Sequence, residues 1–227
     1  MTRIFKAIGL VCLIAYAAGV LSTSAASAHT FDYEFYHTLL MAEAKSEQIL
    51  TTAAVGETKC KKVSLSPTDP LNTKLWGVGE TNGHASITLR PIYSECSMVI
   101  PGLGTVKPTI EFTSCYFEIT GETTAGTEHA PVHVRCETPG DEIHVKVGSI
   151  NAKCYTIPPQ TVEGAHYTNT GAQATRDIVV NSTITDMDVT REGICGSGLE
   201  KNATYQGEIT LKGTNTEEGQ VGIWATP

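Results

Sequence analysis

The sequence predicts an all-β, disulfide-stapled antiparallel protein, either a β-sandwich or two packed β layers. Three observations lead there. From residue 84 onward Thr, Val and Ile are frequent, and Gly, Pro, Asn and Asp punctuate short runs. Several of those runs alternate apolar and polar residues, the period of a half-buried strand. Six cysteines follow an export-type leader, and an even count in an exported chain reads as disulfides.

The leader occupies residues 1–28. Arg3 and Lys6 form a basic start, an apolar run extends from Ile8 to Leu21, and Ala26-Ser27-Ala28 offers a small-residue cleavage signal before His29. The apolar run is about 14 residues, shorter than the roughly 20 that cross a bilayer as a helix. Cys12 lies inside it and lacks the preceding small residue of a lipidation signal. Cleavage between Ala28 and His29 removes 28 of the 227 residues and leaves 199. It also removes two of the 16 cations, leaving 14 against 24 acids and a charge of −10. Such a surface disfavours nucleic acid and anionic membranes. No later stretch is long and apolar enough to span a membrane. A secreted or cell-surface location is therefore expected, for one β-rich domain over 29–227 with 29–108 and 109–227 as sub-layers.

Several strands are legible in order. Ala85–Tyr93 places Ile87, Leu89 and Tyr93 on one parity. Val99–Pro108, with Pro101, Gly102, Gly104 and Pro108, reads as a loop. Cys115, Phe117 and Ile119 share a face. With Thr138-Pro139-Gly140-Asp141 as a turn, Cys136, Val134 and Val132 fall opposite Ile143, Val145 and Val147, all on one face. Pro-Gly is not the twist-matched hairpin turn, so a wider loop stays open. Set antiparallel to the preceding strand, Ile119 meets Val132, Phe117 meets Val134 and Cys115 meets Cys136. Directly opposed cysteines lie within disulfide reach. Cys60–Cys96 and Cys154–Cys195 follow by chain order. Ile178–Ile184 and Thr204–Leu211 are further strands, the latter with Tyr205, Ile209 and Leu211 on one face. Residues 32–54 are ambiguous, because Leu39-Leu40-Met41-Ala42-Glu43-Ala44-Lys45 has helical propensity.

The runs Arg90-Pro91-Ile92-Tyr93-Ser94-Glu95-Cys96, Ser114-Cys115-Tyr116-Phe117, Val132–Gly140, Cys154–Gln160, Asn202–Gly207 and Lys212-Gly213 together resemble a group of uncharacterised secreted proteins of soil actinobacteria, especially the Thermoleophilia. The resemblance runs from about Cys60 to Gly213 and rests on motif order. It implies an exported, six-cysteine, Thr-rich β fold and extended structure over 32–54. It carries no activity.

No catalytic pattern emerges. G-x-S-x-G, H-E-x-x-H and the phosphate-binding glycine loop are absent. Gly193-Ile194-Cys195-Gly196-Ser197-Gly198 holds a Cys-Gly-Ser triplet, but Cys195 is needed for the even disulfide count. The cysteines lie eighteen or more residues apart, which excludes a knuckle-type zinc site. Of the histidines (His29, His37, His84, His129, His133, His144, His166), His133 and His144 are expected on a solvent face beside Lys146 and Arg135. Asp141 with Glu142, Asp186 with Asp188, and Glu217 with Glu218 are acidic pairs that a hydrolase would use or, for Asp186 and Asp188, that Ca²⁺ would take. Trp76 and Trp224 could stack on sugars. Asn181-Ser182-Thr183 and Asn202-Ala203-Thr204 match glycosylation sequons.

No catalytic, cofactor or metal residue is therefore assigned. The expected role is an exported, non-enzymatic structural or adhesive protein, with a cell-envelope component or polysaccharide as partner. A carbohydrate- or Ca²⁺-binding module and a secreted hydrolase are the alternatives. The loops to display are Gly121–Ala130 and Pro158–Gln173. Intact mass of the exported chain should correspond to a start at His29, with six thiols alkylated only after reduction. A retained leader or thiols free before reduction would contradict that reading.

Overall fold

A computed structural model describes residues 30–33, 38–73, 86–120, 130–148, 152–215 and 219–226. The expected cleavage site Ala28–His29 lies outside them. So do Trp76, His37, His84, His129, Glu217, Glu218 and all but Ala130 of the Gly121–Ala130 loop.

The architecture is all-β and antiparallel. The described part of the ambiguous stretch is extended despite the helical propensity of 39–45, as β1 (Thr30–Tyr33), β2 (Leu39–Ala44) and β3 (Gln48–Thr52). Local propensity yields there to the unsatisfied edge of a neighbouring strand. A long strand, β4 (Gly56–Leu65), leads to one helical turn, α1 (Pro70–Thr73). Asp69 caps α1 by accepting from Leu71 N at 2.9 Å, and proline takes the first helical position, where no N–H is needed.

The run read as Ala85–Tyr93 breaks at Arg90 into β5 (Ser86–Leu89) and β6 (Pro91–Ile100). Asn72, fully buried, holds the break by accepting from Arg90 N at 2.8 Å and donating to Ser66 O at 3.2 Å. The expected loop at 99–108 is instead a hairpin and a further strand: β6 ends at Ile100, and β7 (Gly104–Val106) and β8 (Pro108–Glu111) follow. Gly102 and Gly104, at φ of 84° and 79°, close the tight turn that a looser reading missed.

Next come β9 (Cys115–Thr120), β10 (Ala130–Cys136), β11 (Ile143–Val147), β12 (Ala152–Ile157) and β13 (Gln160–Thr170). Pro158–Gln173, expected to be a displayed loop, is mostly strand β13. Its apolar Val162 and Ala165 are buried, and it pairs on both edges. The chain ends with β14 (Asp177–Arg191), β15 (Gly198–Asn215), β16 (Gly219–Val221) and β17 (Ile223–Thr226).

β14 and β15, of 15 and 18 residues, form one long ribbon that organises the rest. A broken strand flanks each edge. β12 and β13 lie end to end along β14, and β2 and β3 lie end to end along β15. A glutamine side chain bridges each break. Gln160 donates to Asp188 O at 2.9 Å and accepts from Asp188 N at 2.8 Å. Gln48 donates to Ser46 O at 2.9 Å and Glu208 O at 3.1 Å. The ribbon bends at the same level, where a bulge between Ile184 and Met187 leaves Asp186 at φ 56°.

One half of the ribbon extends through β13, β10, β9 and β5 on one side and β2 on the other. The other half extends through β12, β11 and β8, and through β3, β4, β6 and β7. The two walls face each other across the core. Strands from 29–108 and 109–227 interleave, since β15 pairs with β2 and β3 and β5 pairs with β9.

The expected β10–β11 hairpin does not form. β10 pairs with β9 and β13, and β11 pairs with β8 and β12. Val132, Val134, Ile143, Val145 and Val147 are all buried, as the pattern required, but on strands of different walls, and Val132, Val134, Ile143 and Val145 line the space between them. An alternating pattern specifies which face is buried, not which strand lies alongside. The β9–β10 register does place Ile119, Phe117 and Cys115 opposite Val132, Val134 and Cys136.

Three disulfides staple the walls: Cys60–Cys96 joins β4 to β6, Cys115–Cys136 joins β9 to β10, and Cys154–Cys195 ties β12 to the 3₁₀ turn after β14. The loops they close span 21 to 41 residues. Each constrains the unfolded chain by roughly 3–4 kcal/mol.

Two glycines test the packing. At Gly164, φ 113°, an added Cβ would sit 2.1 Å from the Thr183 carbonyl oxygen. Gly140, φ 88°, has open space around it. Gly164→Ala is expected to cost about 3 kcal/mol or more in urea unfolding, and Gly140→Ala about 1 kcal/mol. Equal costs would show that the close β13–β14 approach is unimportant.

Candidate functional site

Among the described residues, the acidic and histidine candidates do not converge. Asp141 accepts from Ser114 Oγ at 2.6 Å and belongs to the turn after β10. Asp186 accepts from Thr185 Oγ1 at 3.1 Å, while Asp188 is held through its backbone by Gln160. His133 faces Thr161, with Nδ1 2.8 Å from its hydroxyl, and lies across from Glu118 rather than Lys146. His144 lies across from Glu111 and Thr156 rather than Arg135. Both corrections follow from the absent β10–β11 hairpin. No group of three His, Cys, Asp or Glu side chains able to hold a metal occurs among the described residues. Cys195 is in a disulfide. Trp224 lies under the Arg176 guanidinium, 5.8 Å from its ring centre. Asn181 and Asn202 are exposed.

A cavity of about 90 Å³ lies between the two walls. Almost every strand contributes to its lining, with Leu50, Leu89, Ile119, Val134, Val145 and Ile184 typical. The inward parity of each alternating strand supplies these side chains. Among the described residues, none that lines the cavity carries a charge. The polar ones are Gln48, Thr58, Tyr93, Ser182 and Tyr205. Thr58 Oγ1 accepts from the buried Tyr155 hydroxyl at 2.7 Å. Gln48, Tyr205 and Tyr93 are linked in a chain, in which Tyr205 donates to Gln48 Oε1 and lies 3.3 Å from the Tyr93 hydroxyl. Gly207 makes room for Gln48, since a Cβ there would meet its Oε1 at 2.1 Å.

The curled sheet does not zip shut. β8 pairs with β11, and β6 with β4 and β7; β6 and β8 pack side by side with no ladder between them. Pro91 and Pro108, which begin these strands, have no N–H to offer. A surface hollow lined by Ser66, Asp69, Arg90, Ile92 and Thr113 sits over this seam. It shares Pro91, Ile110 and Phe112 with the inner cavity. Phe112 stands between hollow and cavity, stacked on Tyr93 at 6.2 Å and edge-on to Phe117 at 5.2 Å. In the hollow Arg90 is neutralised by Asp69 at 3.3 Å and donates to Cys115 O at 3.0 Å.

Composition foretold an apolar interior. It carried no sign of a void, a seam or a glutamine–tyrosine chain, because these depend on which strands end up opposite one another.

Burial governs the tyrosines of this region. It pushes the Tyr93 hydroxyl from its ordinary 10 to about 12, and raises Tyr155 and Tyr205 as well. The folded chain therefore holds phenolic protons that the unfolded chain releases above pH 10. This contribution to stability is complete below pH 10 and is lost as pH climbs through about 12. The urea midpoint should fall between pH 10 and 12, and fall less steeply in Tyr155→Phe. An unchanged midpoint over that interval would show these hydroxyls to be solvated.

No protein-family model, curated protein or solved structure matches the chain.

Proposed function

We propose that the protein is an exported, non-enzymatic β module that holds a small apolar molecule between its walls. The observation that carries this is the uncharged, carbon-lined cavity behind an unpaired seam. An apolar molecule gains by leaving water for a lining of this kind. Three disulfides support export, since such bonds persist in oxidising compartments. They also support rigid walls, which keep a cavity from collapsing. The leader-like residues 1–28 agree with this location.

In buffer equilibrated with propane, the methyl NMR signals of Val, Leu and Ile lining the cavity should shift saturably, and the melting temperature should rise. Ala42→Leu, which adds carbons to the lining, should abolish both effects. Unshifted methyl signals in the folded wild type would defeat the proposal.

The structural or adhesive reading retains one supporting observation. Val99 and Leu103, 59% and 60% exposed, crown the β6–β7 hairpin, and β7 is a sheet edge. On that reading, binding to the cell envelope or to polysaccharide should be lost in the double variant Val99→Ser, Leu103→Ser.

A further inference from the structure

The hydrogen-bond chain on the cavity wall has a direction, and that direction selects a ligand. Gln48 Nε2 donates to two backbone carbonyls, Ser46 O and Glu208 O, which fixes the amide so that Oε1 faces the tyrosines as an acceptor. Tyr205 spends its only proton on that oxygen. The contact between the two tyrosine hydroxyls must then run from Tyr93 to Tyr205. Tyr93 has no proton left, and its oxygen ends the chain as an acceptor on the cavity wall.

We infer that the cavity takes a neutral aliphatic alcohol, its tail among the apolar side chains and its hydroxyl donating to Tyr93 Oη. This rests on reading the cavity as a binding site. Three further features narrow the class. An anionic head group would lose its hydration against a lining that has no cation among the described residues, and would face a phenol oxygen that only accepts. Ser182, also on the wall, can donate to a hydroxyl as readily as accept from one. The cavity volume, about 90 Å³, is below the ~150 Å³ of a void that admits benzene, so only a short chain, of about three carbons, fits without moving the walls. Arg90 in the outer hollow does not alter the choice, because Asp69 already pairs with it.

The way in is the seam between β6 and β8. A slim chain passing there has to displace Phe112 from between Tyr93 and Phe117, and no backbone ladder need open. Tyr93 thus borders both the gate and the terminus of the hydrogen-bond chain.

Calorimetric titration of the full exported chain at pH 7 with four ligands of equal tail length tests this: propane, 1-propanol, 1-methoxypropane and butanoate. The expected order places 1-propanol first, about tenfold tighter than 1-methoxypropane, which has no proton to donate. Butanoate should bind more weakly than either. Tyr93→Phe should bring 1-propanol and 1-methoxypropane to equal affinity. If propane binds but propanol has no advantage over its methyl ether, or butanoate binds best, the alcohol assignment is overturned while the binding cavity stands. If none of the four binds, both readings fall. The wild-type ligand series decides the matter even where Tyr93→Phe does not fold.

Discussion

The β14–β15 ribbon is the constraint on which the rest of the molecule depends. Strands of 15 and 18 residues are longer than one flat layer of a small domain can use, so the ribbon has to bend and serve both walls. Every other element takes its place from that bend. The strands flanking the ribbon break where it turns, each yielding two segments, β12 with β13 and β2 with β3. The exposed backbone groups at those breaks would be costly inside a sheet. Gln160 meets them with both the donor and the acceptor of its amide, imitating a missing peptide group, and Gln48 with its donor.

This solution has a consequence for the interior. Gln48 is 2% exposed and fully committed to hydrogen bonds, and Gly207 is the residue that leaves it space. The amide that repairs the break on one face also anchors Tyr205 on the other, and Tyr205 anchors Tyr93. A backbone repair in the hinge thereby sets the polarity of the cavity wall. The disulfides complement this arrangement from a distance. Cys60–Cys96 and Cys115–Cys136 lock neighbouring strands within the walls, and Cys154–Cys195 secures the far end of the ribbon. None of the three bridges the β6–β8 seam, which is left to side-chain packing.

The outer ends of the described chain are held by the same device. Asn169 donates to Ala225 O at 2.7 Å and accepts from Ala225 N at 2.8 Å, docking the β1–β17 pair against β13. Phe31 packs on Tyr167 at 5.4 Å beneath it. Three carboxamides, at 48, 160 and 169, thus stand in for ladder rungs where backbone cannot reach. Their cost in side-chain entropy is offset because each meets two backbone groups.

The β class, the inward faces and the β9–β10 register were legible in the sequence, because they follow from alternation within a strand and from cysteines that must meet. Val132, Val134, Ile143 and Val145 announced their burial without the fold being known. What only the tertiary structure decided is who faces whom. The same four residues fit a hairpin and two opposing walls equally well, since alternation has no memory of the partner strand. Residues 39–45 had helical propensity and became strand because β15 offered an edge. The cavity belongs to the same category: a void is the space between walls, and its outline depends on strands far apart in the chain. The roles of Gln48, Tyr205 and Tyr93 arise from sequence separations of 112 and 157 residues, across which no local pattern reaches.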